Sequence, residues 1–194
     1  MKAAVVGAGA WGTALATLLC KNGHDTVLWC RSADRAAEIE ATGKNPRLKD
    51  VLLPKALHVS AAPACVRGCR MVVIASPSSH IRTVSRAVAP YIEADAVMVS
   101  VTKGIEEGSL LRMSQIVAQE TGHKVVALSG PCHAEEVARQ VPTGCLAACD
   151  DRGLAEFVQD AFMSESFRVY TSPDAVGAEL GGALKNVIAL CAGV

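Results

Sequence analysis

The sequence is poor in aromatic residues, carries no excess of either charge sign and has no long run of Lys or Arg. Aromatic residues make up 4% of its 194 residues, and nineteen acidic residues balance nineteen basic ones. A nucleic-acid surface or an anionic membrane face needs clustered cations, so neither is expected. No C-x-x-C pair occurs among the eight cysteines; two pairs, Cys65–Cys69 and Cys145–Cys149, are spaced C-x-x-x-C. The usual zinc spacings are therefore missing, and the cysteines are too sparse for a disulfide scaffold. Reduced thiols in a cytoplasmic protein are expected, with Cys30, Cys145 and Cys149 serving as small hydrophobes in strand-like runs. No repeat of fixed period and no low-complexity segment interrupts the chain.

What is present is apolar and small. About half the residues are hydrophobic, 51%, and Ala, Val, Leu and Gly dominate. That composition suits a parallel sheet buried under helices on both faces. The first stretch, "KAAVVGAGAWGTALATLLCKNG" at residues 2–23, admits two readings. Lys2 and the apolar run behind it look like a leader, but Leu19 occupies the place before Cys20 where a lipoprotein cleavage site needs a small residue. Gly7, Gly9 and Gly12 instead have G-x-G-x-x-G spacing between an apolar strand run, Ala3-Ala4-Val5-Val6, and an Ala/Leu-rich helix over 11–22. In that context Gly7 makes the tight turn, Gly9 admits a pyrophosphate and Gly12 lets helix and strand pack closely. The helix N-terminus adds unpaired amides and a positive dipole end, and the leader reading is set aside.

The next strand, "DTVLWC" at 25–30, ends in Cys30-Arg31-Ser32. A carboxylate there would bond a ribose 2′-OH and favour NAD. Asp25 comes too early and Asp34 too late, whereas Arg31, with Ser32 and Arg35 nearby, can take a 2′-phosphate. NADP is therefore accepted alongside NAD.

Helical and strand patterns then alternate. A helix is expected over 33–42, a polar, Pro-punctuated connection over 43–57, strands at 58–60, 70–76, 144–150 and 167–172, a strand and its loop over 95–104, and a strand ending in a Gly-Pro turn over 124–131. Helices fall near 80–89, 109–120 and 152–163. This order predicts an α/β fold, a Rossmann-type doubly wound, mostly parallel sheet with room for added edge strands. Residues 1–172 form the expected dinucleotide-binding domain, and 173–194 open an all-α domain that stops in mid-pattern. The last stretch is near membrane-span length, but Asp174, Glu179, Lys185 and Asn186 argue against a span.

Ligands of such sheets lie beyond the carboxyl ends of the strands. Ser76-Pro77-Ser78-Ser79, Thr102-Lys103-Gly104 and Ser129-Gly130-Pro131-Cys132-His133 all fall there. Lys103 would point a cation at a phosphate or carbonyl oxygen, and Gly130 permits close backbone contact. Cys132 beside His133 suggests a thiol–imidazole pair, but neighbours in sequence rarely converge and no Asp or Asn partner is evident. Lys185 sits in an apolar helix. Partial desolvation and a nearby Lys103 would lower its ammonium pKa toward that of a general base.

Taken together, "VVGAGAWGTALA", "NGHDTVLW", "TKGIE", "LSGPCHAEEVA", "PTG" and "SFRVYTSPDAVGAELGGALKNVIAL", in this order, resemble bacterial NAD(P)-dependent sn-glycerol-3-phosphate dehydrogenases over essentially the whole chain. The resemblance implies reversible hydride transfer between NAD(P)H and dihydroxyacetone phosphate, supplying glycerol 3-phosphate for phospholipid synthesis in the cytoplasm. It implies cofactor contacts at Gly7, Gly9, Ala10, Trp11, Gly12, Arg31, Lys103 and Ala134. Lys103, Gly130, Cys132, Lys185 and Asn186 would meet the substrate, with Lys185 the proton-transfer residue. No metal, nucleic acid or membrane span is implied, and a homodimer is left open. Cys132 departs from the Thr or Ser usual there, and the family's further helical domain, with its Asp and Arg-Asn stretch, lies beyond Val194. The chain is thus expected to be a shortened form. A stand-alone NAD(P)-binding or redox-sensing module, and another β-hydroxyacid-type dehydrogenase, are the competing readings.

Overall fold

The computed structural model describes residues 1–194. Ten strands and seven α-helices follow one another as β1 (Lys2–Val6), α1 (Ala10–Lys21), β2 (Asp25–Trp29), α2 (Ala33–Thr42), β3 (Lys44–Asn45), β4 (Leu48–Leu52), β5 (His58–Ser60), β6 (Met71–Ile74), α3 (Ile81–Val88), β7 (Val97–Ser100), α4 (Met113–Thr121), β8 (Val125–Ser129), α5 (Ala134–Ala138), β9 (Thr143–Ala148), α6 (Arg152–Phe162), β10 (Phe167–Ser172) and α7 (Ala175–Ala192). Eight strands form one sheet in the order β10-β9-β8-β7-β6-β1-β2-β5. Every pairing in it is parallel except β8 with β9.

The period-2 geometry of a strand explains why these apolar runs are continuous rather than alternating. In β1, Ala3 and Val5 join the core under α1, α5 and α6, while Ala4 and Val6 join the core under α3 and α4. Met71 and Val73 of β6 divide from Val72 and Ile74 in the same way. With both faces covered, no position along these strands can be polar without losing its hydration. The apolar run at 2–23 is thus a central strand and the helix that covers it.

From β1 the strand order runs one way through β2 and β5, and the other way through β6, β7 and β8. The carboxyl ends of β1 and β6 therefore flank a crevice at the point of reversal, where open α/β sheets receive ligands.

Three segments differ from expectation. The connection over 43–57 contains an antiparallel hairpin, β3–β4, whose Asn45 and Leu48 are buried. The helix expected at 109–120 begins only at Met113, because Ile105 bridges Arg112 and closes a small loop over 105–112. Leu110 takes a left-handed conformation in that loop, and the Gln115 side chain accepts from the Arg112 amide at 3.0 Å to start α4. The short helix α5, not expected, packs against α1.

Helix α7 has the length and composition of a membrane span, with mean hydropathy 1.3. Its Glu179 is nevertheless buried at 6% exposure and bound by the Arg112 guanidinium and by the amide and hydroxyl of Ser114 at 2.8 and 2.6 Å. That carboxylate ties α7 to the start of α4.

Candidate active site at the sheet edge

The first wall of the site is the glycine turn. Gly7 has φ of +131°, and a β-carbon there would stand 2.5 Å from the Ala75 carbonyl oxygen at the end of β6. A β-carbon on Gly12 would stand 2.0 Å from the Gly7 carbonyl oxygen, so only glycine lets α1 start this close to β1. Gly9 is different: nothing lies within 4 Å of its missing side chain. Two glycines are thus required by the protein's own backbone, and the third faces open space. Gly9 caps α1 without any side-chain bond, which leaves the amides of the first turn for a ligand. This cradle, with open volume over Gly9 and free amides behind it, fits a dinucleotide diphosphate.

A cavity of about 760 Å³ extends from this turn along the sheet edge. It is lined by Gly7, Gly9, Ala10, Trp11 and Gly12, by Arg31 after β2, and by Lys103, Cys132 and Ala134. Residues contributed by six different elements and loops therefore meet in one space, because each lies at a strand's carboxyl end or at the helix start beyond it. Trp29, Arg47 and His80 line it too and were not singled out from the sequence. Arg47 is brought there by the hairpin. The buried Asn45 side chain donates to the Ala8 carbonyl at 3.1 Å and to the Thr13 hydroxyl at 2.7 Å, which pins the hairpin to the glycine turn. No local pattern could reveal this, since the contacts span 32 and 37 residues.

Ser32 and Arg35 do not join Arg31. The Ser32 hydroxyl accepts from the Arg35 amide as the cap of α2, and the Arg35 guanidinium pairs with Glu38 at 3.3 Å. Both are occupied by their own helix.

Lys103 lies half-buried in the loop after β7, and its ammonium donates to the Gly130 carbonyl at 2.6 Å. Burial pushes its pKa below the ordinary lysine value, and the positive charge of Lys185 pushes it in the same direction. Gly130 has no room for a side chain, since a β-carbon would stand 2.8 Å from the Gly144 carbonyl oxygen. Cys132 donates its thiol to that same carbonyl at 3.2 Å, and Cys145 donates to the Ser129 carbonyl at 3.2 Å. The neighbouring Cys145 and then the Lys103 charge draw the Cys132 thiol pKa down, against the effect of burial. His133 is exposed and caps α5 without a side-chain bond, so no thiol–imidazole pair forms.

Lys185 and Asn186 are exposed on α7 and do not line the cavity. Nothing among these 194 residues covers that face of α7, so the expected partial desolvation of Lys185 is not seen here. The lysine that burial perturbs is Lys103.

The family model for the N-terminus of NAD-dependent glycerol-3-phosphate dehydrogenase matches residues 2–155. The chain is 49% identical over 199 aligned residues to a glycerol-3-phosphate dehydrogenase of Pelotomaculum thermopropionicum, named for NAD(P)+, covering 100% of this chain and 57% of that protein. It is 44% identical to the protein of the same name from Moorella thermoacetica, over 98% of this chain and 58% of that one. A crystal structure of glycerol-3-phosphate dehydrogenase from Coxiella burnetii superposes with a TM-score of 0.91 at 33% identity, covering 99% of this chain and 60% of its own. The chain therefore spans a little under three fifths of the relatives it matches.

Proposed function

Because the chain belongs to the NAD-dependent glycerol-3-phosphate dehydrogenase family, we propose that it is the cofactor-binding part of an enzyme interconverting dihydroxyacetone phosphate and sn-glycerol 3-phosphate. The single observation that carries this reading is the meeting of the glycine turn, Lys103 and Cys132 in one cavity at the sheet's reversal point. A bound nicotinamide would supply the hydride.

The chain's own residues supply the rest. The amides of Ala10, Trp11 and Gly12 hold the cofactor diphosphate, and Gly9 leaves room for it. Ala134 contacts the cofactor at the opposite wall. Lys103 places a cation beside Gly130, where it holds the substrate and offsets negative charge growing on the carbonyl oxygen during reduction. Cys132 lines the cavity, a thiol standing where a hydroxyl would bond more strongly, and Gly130, which does not line it, meets the substrate through the Lys103 ammonium that its carbonyl holds. Lys185 moves the proton and Asn186 helps orient the substrate, from the turn of α7 that follows Gly182. The reading carries with it a cytoplasmic setting and a place in phospholipid-precursor synthesis; all eight cysteines being free thiols agrees with the first.

The test is titration of the purified chain with NADH and NADPH, followed by addition of dihydroxyacetone phosphate. The expected result is quenching of Trp11 and Trp29 fluorescence by nucleotide and a further change with the substrate. A folded chain indifferent to both nucleotides would overturn the reading.

A further inference from the structure

The family is described by NAD and the relatives by NAD(P)+, so the choice between NADH and NADPH is not set by name, and the β3–β4 hairpin bears on it. The end of β2 is where this fold receives the ribose 2′ position, and it holds no carboxylate: Trp29, Cys30, Arg31 and Ser32 follow one another there. Arg31 and Arg47 both line the cavity, and neither pairs with a carboxylate. Of the other nine arginines, Arg35, Arg70, Arg82, Arg86, Arg112 and Arg152 do, and the three that do not, Arg67, Arg139 and Arg168, lie away from the cavity. Two unpaired cations facing one cavity repel each other unless an anion lies between them.

Arg47 is also held in place. Asn45, 2% exposed, spends its amide nitrogen on Ala8 and Thr13 and its oxygen on the Arg47 amide at 3.0 Å. One side chain thus fastens the backbone of Arg47 to the turn that cradles the diphosphate. A surface loop that merely exposed a solvated arginine would need no such buried anchor.

We propose that Arg47 is a specificity-determining residue that joins Arg31 in binding the 2′-phosphate of NADPH, and that Asn45 positions it. The assignment rests on the cofactor-binding reading above and adds to it the choice of dinucleotide. The guanidinium fork matches phosphate oxygens bidentately, and the two arginines together take most of the 2′-phosphate charge. NADH would leave both cations without a partner.

The experiment measures dissociation constants of NADPH and NADH for the wild-type chain, Arg47→Gln, Arg47→Lys, Asn45→Ala and the control Lys49→Gln, by tryptophan fluorescence. Lys49 lies on the same hairpin and does not line the cavity. The expected result is tighter binding of NADPH than of NADH by the wild type. Arg47→Gln weakens NADPH by about tenfold, as loss of one charge-assisted contact implies, and leaves NADH within about twofold. Arg47→Lys retains part of the preference, and Lys49→Gln changes neither constant. Asn45→Ala, measured where circular dichroism shows it folded, lowers the NADPH-to-NADH preference; a purely structural role would lower its melting temperature and leave that ratio intact. Equal weakening of both nucleotides by Arg47→Gln, or no weakening, overturns the proposal while leaving the cofactor site standing. Failure of the folded wild type to bind either nucleotide overturns the site itself.

Discussion

Gly182 of α7 lies against Ser129 at the end of β8: a β-carbon on Gly182 would stand 2.7 Å from the Ser129 hydroxyl oxygen and 3.5 Å from Cγ of Lys103. The contact sets the distance at which α7 passes the sheet edge. It brings Lys185, less than one turn further on, close enough for its charge to act on Lys103. A glycine pair that helix propensity would disfavour is thereby explained at one of its two positions; Gly181 meets nothing within 4 Å.

Substitutions at Gly182 are expected to grade with size. Gly182→Ala is near neutral, because the Ser129 hydroxyl can rotate away and alanine favours the helix by up to about 1 kcal/mol. Gly182→Leu drives a branched side chain into Ser129 and the Lys103 stem and costs roughly 1–3 kcal/mol, the usual range for overpacking. Denaturant melts of the two variants would show it, and equal stability would mean that α7 does not pack here.

The Lys103 amine should titrate early. Burial and Lys185 both disfavour its charged form, so the neutral amine appears at a pH below the ordinary lysine value of 10.5. Anion binding by Lys103 then weakens as pH rises through that lowered value, sooner than for a surface lysine. Removing the Lys185 charge in Lys185→Met takes away one of the two causes and moves the transition back upward. Mass-spectrometric acetylation rates at Lys103 across a pH series measure this directly. An identical profile in wild type and variant would place Lys185 too far away to matter.

The glycines of the turn should separate stability from binding. Gly12→Ala forces a β-carbon to 2.0 Å from a backbone oxygen that cannot rotate away, and costs several kcal/mol, about 3 or more. Gly9→Ala meets nothing and has ordinary extended backbone at φ −74°, so it costs no more than about 1 kcal/mol of stability, the loss expected for alanine at a helix N-cap. It fills the space over the α1 amides and abolishes measurable nucleotide binding. Retained NADPH affinity in Gly9→Ala would show that the diphosphate lies elsewhere.

Glu179 should control whether α7 stays docked. Its carboxylate bonds Arg112 and both groups of Ser114, so Glu179→Ala leaves the buried Ser114 amide without an acceptor and the largely covered Arg112 guanidinium with only the Ser114 hydroxyl. Breaking a fully buried pair costs roughly 3–5 kcal/mol; with Arg112 partly solvated, about 2 kcal/mol is expected. Glu179→Gln keeps an acceptor for Ser114 and loses less. Hydrogen exchange should quicken in α7 and spare the sheet, and uniform quickening would argue against a local clasp.

Much of this was legible before any coordinates. The glycine turn declares itself because three residues at fixed spacing sit between a strand run and a helix run, and the other elements, apart from the β3–β4 hairpin and α5, follow from local periods. Even Asp25 and Asp34 could be dismissed by counting along β2 and α2. Less legible is the setting of Lys185. Within these residues α7 meets the start of α4 through Glu179 and the sheet edge through Gly182, and the face that carries Lys185 meets neither. The hairpin was illegible for a related reason: its residues are polar, and the bonds that make Asn45 a core residue are to Ala8 and Thr13, far back in the chain.

The sequence by itself therefore determined the α/β alternation, the place of the phosphate-type cradle and the absence of an acid at the end of β2, because each depends on residues within a turn or two of one another. Only the tertiary structure decided that β9 runs antiparallel to β8, that Arg47 shares a cavity with Arg31, and that Lys103 is half-buried against Gly130. Those outcomes depend on which side chains remote parts of the chain bring together, and on how much water they exclude when they meet.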